Sequence, residues 1–269
     1  MLICPVCGNK LAKGEKTYTC EKQHSFDIAR KGYINLLMSQ NSKNKQHGDD
    51  KLMVRARRDF LTKGYYKPLC HALEQVVDGY LPRYGTLLDA GCGEGYYTGN
   101  LYAYLCSQGK CPHILGVDIS KNALELSSKS GVEKAVASVF SLPVETGSVD
   151  VLVSIFAPYS SQEFLRVMHT GSIMLLAIPL EEHLWELKSA VYENPYKNEV
   201  ADTVLEGFEF LGMTEVKDII SLTSTEDILN LFTMTPYYYK TAEKDFQKLT
   251  CLTSLTTKIQ FGILAYKKL

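Results

Sequence analysis

The sequence lacks any long apolar segment. It has no uninterrupted run of roughly eighteen apolar residues, the length that crosses a bilayer, and no basic and apolar signal sequence at its start. Its 269 residues, of which 45% are hydrophobic, suffice for one large domain with a small appendage. We therefore expect a cytoplasmic protein without a membrane partner.

Net charge is also nearly absent. The formal net charge is −1, so any attraction to nucleic acid must come from a local patch. Between Arg30 and Lys63, nine Lys or Arg oppose three Asp, a local balance of +6 that leaves −7 for the rest of the chain. This distribution predicts a basic segment attached to an acidic body.

Three of the eight cysteines lie in the first twenty residues. Cys4, Cys7, Cys20 and His24 follow the spacing C-x2-C-x12-C-x3-H. In a reducing compartment such cysteines are more often metal ligands or catalytic thiols than disulfides. Four ligands fill the tetrahedron of a zinc ion and leave no position for a reacting water, which favours structural zinc. Redox thiols and chance spacing are the alternatives. Between the two pairs we expect a hairpin that turns near Lys13 and Gly14.

A polar stretch without hydrophobic periodicity follows near residues 39–50 and is typical of a linker. A helical pattern comes next, and it carries Arg55, Arg57 and Arg58. These arginines are either an ordinary solvated helix face or a patch that binds phosphate, because a guanidinium can pair bidentately with phosphate oxygens.

A glycine-rich loop follows an apolar run that predicts a strand at 86–90. Its glycines are Gly91, Gly93 and Gly95, and a helix is predicted for 96–107. Dinucleotide sites use G-x-G-x-x-G, whereas Asp89 here begins D-x-G-x-G-x-G. This stretch, which includes Glu94, resembles the S-adenosylmethionine loop of class I methyltransferases.

A second predicted strand ends at Asp118, where a carboxylate can accept hydrogen bonds from ribose hydroxyls. Ser120 is placed to cap the helix predicted for 121–130. A third strand near 134–137 leads to Ser138, where the adenine usually lies in enzymes that this region resembles.

Strands and helices continue to alternate along the chain. Further strands are predicted to end near Phe156 and Pro179, separated by a helix at 161–168, and two more follow, of which the last is antiparallel. The alternation predicts an α/β fold of the class I (Rossmann-like) methyltransferase type. We expect a seven-stranded, mainly parallel sheet with ligands at the carboxyl ends of its strands and a small N-terminal zinc-binding module.

The whole chain resembles the bacterial 23S rRNA guanine-N1 methyltransferases of the RlmA type, whose Gram-positive branch includes a tylosin-resistance enzyme. The matching stretches are CPVC, KGYINLL, GDD, ARRDFL, YYKPL, LDAGCGEGYYT, GVDIS, HLWELK and MTP. A generic methyltransferase would share only the glycine loop and the acid, so the zinc module is the more specific part.

The resemblance implies a structural zinc, S-adenosylmethionine as donor, a 23S rRNA hairpin in domain II as substrate, a homodimer, and an effect on macrolide susceptibility. It also assigns the metal to the four N-terminal ligands and the cofactor to Gly93, Glu94, Tyr66 and His183. On residue type alone, a packing tyrosine and a surface histidine would be preferred for the last two. We expect a zinc-binding RNA-recognition module at 1–39, a basic linker and helix at 40–65, and the methyltransferase domain at 66–269.

The reaction places further demands on the site. Guanine N1 loses a proton, and its acceptor could be His183, Glu94 or a backbone carbonyl near Ala157, so no catalytic residue is assigned. Phe156 or Tyr159 is expected to stack on the exposed base. Two other functions remain open at this stage: a class I methyltransferase acting on a small molecule or another RNA, and a zinc-dependent RNA-binding protein with a vestigial cofactor fold.

Overall fold

The computed structural model describes residues 1–38, 48–127, 131–200 and 203–269. Its strands are β1 Leu11–Lys13, β2 Thr17–Cys20, β3 Ser25–Asp27, β4 Tyr33–Asn35, β5 Thr86–Ala90, β6 His113–Asp118, β7 Glu133–Val136, β8 Val149–Ile155, β9 Met168–Pro179, β10 Phe208–Leu222 and β11 Leu255–Lys268. Its helices are α1 Lys51–Thr62, α2 Lys67–Tyr80, α3 Tyr96–Ser107, α4 Lys121–Leu126, α5 Ser161–Val167, α6 Trp185–Val191, α7 Thr225–Thr233 and α8 Glu243–Thr250.

The large sheet has the order β10-β11-β9-β8-β5-β6-β7-β4. The strands from β9 to β4 in this order are parallel neighbours, and β11 lies antiparallel to both β9 and β10. All seven predicted strands are present, and the antiparallel last strand is confirmed. The eighth strand, β4, was not predicted and comes from the N-terminal segment.

The central strands are continuous apolar runs because both faces of the sheet are covered. Leu87 and Leu88 of β5 are both completely buried, although they point to opposite faces. One face packs against α1, α2, α3, α6, α7 and α8. The other face packs against α5 and against residues of the N-terminal segment, including Leu2 and Tyr18. The carboxyl ends of the parallel strands are therefore held at one rigid edge.

The N-terminal segment forms a small antiparallel sheet, β1-β2-β3, that is joined closely to the larger body. The predicted hairpin is confirmed, and its turn is closed by the Gly14 N–H, which donates to the Thr17 carbonyl. Tyr18 donates a 2.7 Å hydrogen bond to Glu133 at the start of β7. The boundary predicted after residue 39 lies outside the described residues and stays a prediction.

The predicted helix starts agree with the capping groups. Ser120 accepts a hydrogen bond from the Ala123 N–H at the start of α4. The sequence predicted that this helix reaches residue 130, but it ends at Leu126, because the next residue, Ser127, is extended. Residues 128–130 lie outside the described part of the chain. None of the described helices is long and apolar enough to span a membrane.

Candidate functional site

The four predicted metal ligands come together at the N-terminal sheet. Their ligand atoms all lie within 4.8 Å of one another. His24 Nδ1 is 3.5 Å from Cys4 Sγ and 3.4 Å from Cys20 Sγ, and Cys7 Sγ is 3.6 Å from Cys20 Sγ. Zinc–sulfur bonds of about 2.3 Å give tetrahedral edges of about 3.8 Å, so the spacing and the donor set both fit a structural zinc ion.

Local backbone turns aim these ligands at one point. Gly8 has φ +74° and donates its N–H to the Cys4 carbonyl, which closes the first turn. Gln23 has φ +63° and donates its N–H to the Cys20 carbonyl, which closes the second. Two such turns explain why the ligands occur as two closely spaced pairs.

A cavity of about 710 Å³ lies at the carboxyl ends of the parallel strands, within the range usual for small-molecule sites. Eight of the nine predicted cofactor residues line it. They are Tyr66, Asp89, Gly91, Gly93, Glu94, Asp118, Ser138 and His183. The ninth, Gly95, lies beside it as the left-handed residue that begins α3.

The glycine loop has a shape that other residues would not permit. Gly91 has φ +96°, and a Cβ built on it would lie 2.3 Å from the Cβ of Ala157. Gly93 donates its N–H to Asp118 Oδ2 at 2.8 Å, and Ser120 donates its N–H to Asp118 Oδ1 at 2.7 Å. Each carboxylate oxygen of Asp118 keeps a second lone pair, which can accept a ribose hydroxyl as predicted.

Two buried carboxylate oxygens in the cavity wall, Asp89 Oδ1 and Glu94 Oε1, have no hydrogen-bond partner among the described residues. The other oxygen of Asp89 accepts a 2.5 Å hydrogen bond from Thr98. Burial raises the pKa of Asp89 to about 7 and also raises the pKa of Glu94. Unpaired buried acceptors are costly and favour a ligand that brings donors or positive charge. The ammonium and sulfonium of S-adenosylmethionine meet that need.

Tyr66 and His183 are buried together in the cavity wall. The Tyr66 hydroxyl lies 3.4 Å from His183 Nε2, while His183 Nδ1 accepts the Gln260 N–H at 3.2 Å. Burial lowers the pKa of His183 to about 3, so the ring is neutral and its proton is on Nε2. Both ring nitrogens of His183 therefore already take part in hydrogen bonds. His183 is consequently a poor proton acceptor for the reaction.

Phe156 and Tyr159 lie at the mouth of the cavity and are both partly exposed. Phe156 directly follows β8, has φ +54° and contacts the Phe261 ring, with 5.3 Å between ring centroids. Their predicted contact with a base stays a prediction.

The three arginines of α1 do not lie together. Arg55 and Arg58 are exposed on the outer surface, where Arg58 pairs with the adjacent Asp59. Arg57 instead lines the cavity and pairs with Asp49 at 2.6 Å. The sequence pattern placed the three arginines in one patch, because the sequence does not show which face of α1 packs against the rest of the protein.

The cavity-lining residues that sequence reasoning missed include Asp49, Tyr97, Phe140 and Tyr239. Tyr97 is half-buried, and its buried hydroxyl has no partner in the described part of the chain. Tyr239 donates a 3.0 Å hydrogen bond to Asp50. The available signals are the matching stretches GDD, which contains Asp49, and LDAGCGEGYYT, which contains Tyr97, although neither stretch assigns these two residues a role.

Two family models match separate parts of this chain. The family model described as RlmA, N-terminal, a zinc ribbon, matches residues 2–45, and the model described as Methyltransferase domain matches residues 88–174. The solved structure of the YcgJ protein of Bacillus subtilis has a TM-score of 0.46 to this chain at 13% identity, covering 74% of this chain and 98% of that one.

Two relatives are similar over most of the sequence. A protein of Micromonospora griseorubida, provisionally named 23S rRNA (guanine-N(1)-)-methyltransferase, is 33% identical over 266 residues, which cover 89% of this chain and 87% of that protein. The 23S rRNA (guanine(748)-N(1))-methyltransferase of Streptomyces fradiae is 29% identical over 232 residues, which cover 82% of this chain and 80% of that enzyme.

The parallel sheet, its glycine loop and the matching domain model together define a class I S-adenosylmethionine-dependent methyltransferase that carries a structural zinc ribbon. The two relatives confirm the family resemblance that was inferred from the sequence. The chain belongs to the family of 23S rRNA (guanine-N1)-methyltransferases.

Proposed function

We propose that this protein transfers a methyl group from S-adenosylmethionine to N1 of a guanine in 23S rRNA. The observation that carries the proposal is the 33% identity over 89% of the chain to a relative provisionally named for this activity. The zinc-ribbon match at 2–45 adds support, because a methyltransferase of small molecules would share only the methyltransferase domain, which is matched at 88–174.

The mouth of the cavity suits a base that has left its helix. Guanine N1 lies on the Watson–Crick edge, so the base must be unpaired or flipped before it can react. Four partly exposed aromatic side chains line the mouth, and unstacked bases pack well on such rings. They are Phe140, Phe156, Tyr159 and Tyr239.

The donor, when bound, supplies an electrophilic methyl group on its sulfonium. The chain contributes mainly by positioning, since in-line transfer depends on the alignment of the reacting atoms. Asp118 would hold the ribose hydroxyls, while Asp89 and Glu94 would receive the positive groups of the donor. For the guanine N1 proton, the occupied nitrogens of His183 leave Glu94 and the Ala157 carbonyl as acceptors.

We also propose where on the RNA the protein acts, which part of the chain contacts the RNA, where in the cell it works and how many copies assemble. We place the substrate guanine in a hairpin in domain II, the zinc ribbon (residues 1–39) in contact with that RNA, the enzyme in the cytoplasm, and two copies in a homodimer. The basic segment from Arg30 to Lys63, with its balance of +6, supports contact between this end of the chain and RNA.

Tritium transfer from labelled S-adenosylmethionine to 23S rRNA, followed by nucleoside analysis, tests the activity. We expect label in 1-methylguanosine. Label in a different nucleoside, or in a different RNA, would show that the proposed substrate is wrong. Label that enters only small molecules would favour the alternative of a small-molecule methyltransferase. A second proposal is that the protein changes the susceptibility of the cell to macrolides. Comparing the tylosin susceptibility of cells with and without the gene tests it.

A further inference from the structure

Negatively charged side chains outnumber positively charged ones around the cavity. Four carboxylates line it, those of Asp49, Asp89, Glu94 and Asp118, whereas Arg57 is the one lysine or arginine that does so among the described residues. The methionine part of the donor carries two positive groups and one carboxylate. The acidic side chains can pair with the two positive groups. The carboxylate requires a positively charged hydrogen-bond donor from the protein.

Arg57 is close to the glycine loop that forms part of the cavity wall. A Cβ built on Gly93 would be 3.9 Å from Arg57 Nη1, so the guanidinium lies over the glycine loop. Glu94, whose Oε1 lacks a partner in the described chain, belongs to the same loop. The side chain of Arg57 keeps 28% of its surface exposed, and Arg57 itself lines the cavity.

Asp49 fixes the direction of this guanidinium. Asp49 Oδ2 is 2.6 Å from Nη1, and the Asp49 carbonyl accepts a 3.1 Å hydrogen bond from the Ser120 hydroxyl beside Asp118. The start of α1 is thereby attached to the tip of β6. A guanidinium has five N–H donors, so Arg57 can keep this ion pair and still bind a second carboxylate.

We infer that Arg57 binds the carboxylate of the methionine part of S-adenosylmethionine, and that Asp49 holds it in position. Arg57 is thus a cofactor-binding residue, in contrast to the RNA-phosphate contact predicted from the sequence. Arg57 lines the cavity beside the glycine loop, whereas Arg55 and Arg58 are exposed on the outer surface, where they are accessible to RNA phosphates. The inference rests on the proposed function only in that the cavity holds this methyl donor.

Calorimetry without RNA tests the inference. The probes are S-adenosylmethionine and its decarboxylated form, which keeps the sulfonium and the amine but lacks the carboxylate. We expect the wild-type protein to bind the decarboxylated form about 10- to 100-fold more weakly, the range for one charge-assisted hydrogen-bonded pair. Equal affinity of the wild-type protein for the two compounds would overturn the inference, and this result needs no variant.

Arg57→Gln should bind S-adenosylmethionine about 10- to 100-fold more weakly and should no longer distinguish the two compounds. Arg57→Lys should restore part of the preference, and Arg55→Gln, a matched change on the outer face of α1, should behave as the wild type. An Arg57→Gln protein that keeps the preference, or that loses affinity equally for both compounds, would contradict the assignment. Since no RNA is present, failure here is separate from failure of the proposed RNA substrate.

Discussion

Phe156 has a backbone conformation that bulky residues rarely adopt. Its φ of +54° costs on the order of 1 to 3 kcal/mol and persists only where the surroundings impose it. Here the Phe156 N–H donates to the Ala177 carbonyl, and the ring packs against Phe261. The strained residue holds an aromatic ring at the mouth of the cavity, which is consistent with a role in stacking on the substrate base.

Phe156→Ala should lower the kcat/KM of RNA methylation about 5- to 150-fold, because stacking on an aromatic side chain contributes about 1 to 3 kcal/mol per base. Calorimetry should show an affinity for the methyl donor close to that of the wild type. Tyr84→Ala is the matched control, since Tyr84 is 72% exposed and does not line the cavity. If Phe156→Ala and Tyr159→Ala both kept full activity, the stacking role would be wrong.

Gly91 and Gly99 allow a test of the glycine loop by the same substitution. Gly91→Ala should lower the free energy of unfolding by about 2 kcal/mol or more and abolish donor binding, because its Cβ would collide with Ala157 at a left-handed residue. Gly99→Ala should raise the free energy of unfolding by about 1 kcal/mol, because Gly99 lies within α3 and has nothing within 4 Å of the added Cβ. Urea unfolding distinguishes these outcomes, and equal stability of the two variants would contradict the account of the loop.

At the scale of elements, the zinc ribbon is continuous with the methyltransferase sheet. β4 pairs in parallel with β7, and Leu2 forms a bridge to Val144. Tyr33 of β4 packs with Cys92 of the glycine loop. The ribbon therefore has a fixed position relative to the cofactor cavity, which supports the proposal that it contacts the RNA substrate.

Combined Cys4→Ser and Cys7→Ser changes should remove the zinc and reduce RNA methylation at least about tenfold, because a ribbon this small depends on its metal for folding. Donor affinity should stay within about threefold of the wild type, since the cavity is built from other elements. Zinc content, calorimetry and methyl transfer measure the three effects, with the exposed Cys106→Ser as control. Loss of donor binding together with zinc would show that the ribbon also supports the cavity.

Tyr18→Phe separates docking of the ribbon from metal binding. It removes the hydroxyl that donates to Glu133 and should lower the free energy of unfolding by about 1 kcal/mol while zinc content is unchanged. Denaturant unfolding with a zinc assay measures both quantities. A variant as stable as the wild type would mean that this hydrogen bond does not help to hold the ribbon.

The elements that the sequence revealed are those with local signals. Strands such as Thr86–Ala90 are apolar runs, and Ser120 and Ser224 cap helices within their own turns. Tyr33–Asn35 could not be predicted as a strand because it has three residues and its partner β7 lies about one hundred residues later. Non-local pairing of this kind leaves no local pattern in the sequence.

The site was predictable to the extent that its residues belong to motifs. The zinc ligands and the residues around the glycine loop come together as expected. Asp49 was missed because it lies within a polar stretch that is typical of a linker, and its ion pair with Arg57 depends on how α1 packs. Spacing alone cannot show which of three neighbouring arginines points inward.

For the whole molecule, we propose that the zinc ribbon contacts RNA beside a cavity for the methyl donor, and that N1 of a guanine in 23S rRNA is the methyl acceptor. A methyl group at that atom removes the hydrogen-bond donor of the Watson–Crick edge. Reverse transcription should therefore stop at the modified base.

The most direct measurement is primer extension on 23S rRNA from cells that lack the gene, after incubation with the purified protein. We expect a stop at a single guanine that requires S-adenosylmethionine and is absent without enzyme. The same stop should disappear in the Gly91→Ala variant. Donor-dependent stops at other bases, or no stop in 23S rRNA at all, would contradict the assignment of this chain as a guanine-N1 methyltransferase of 23S rRNA.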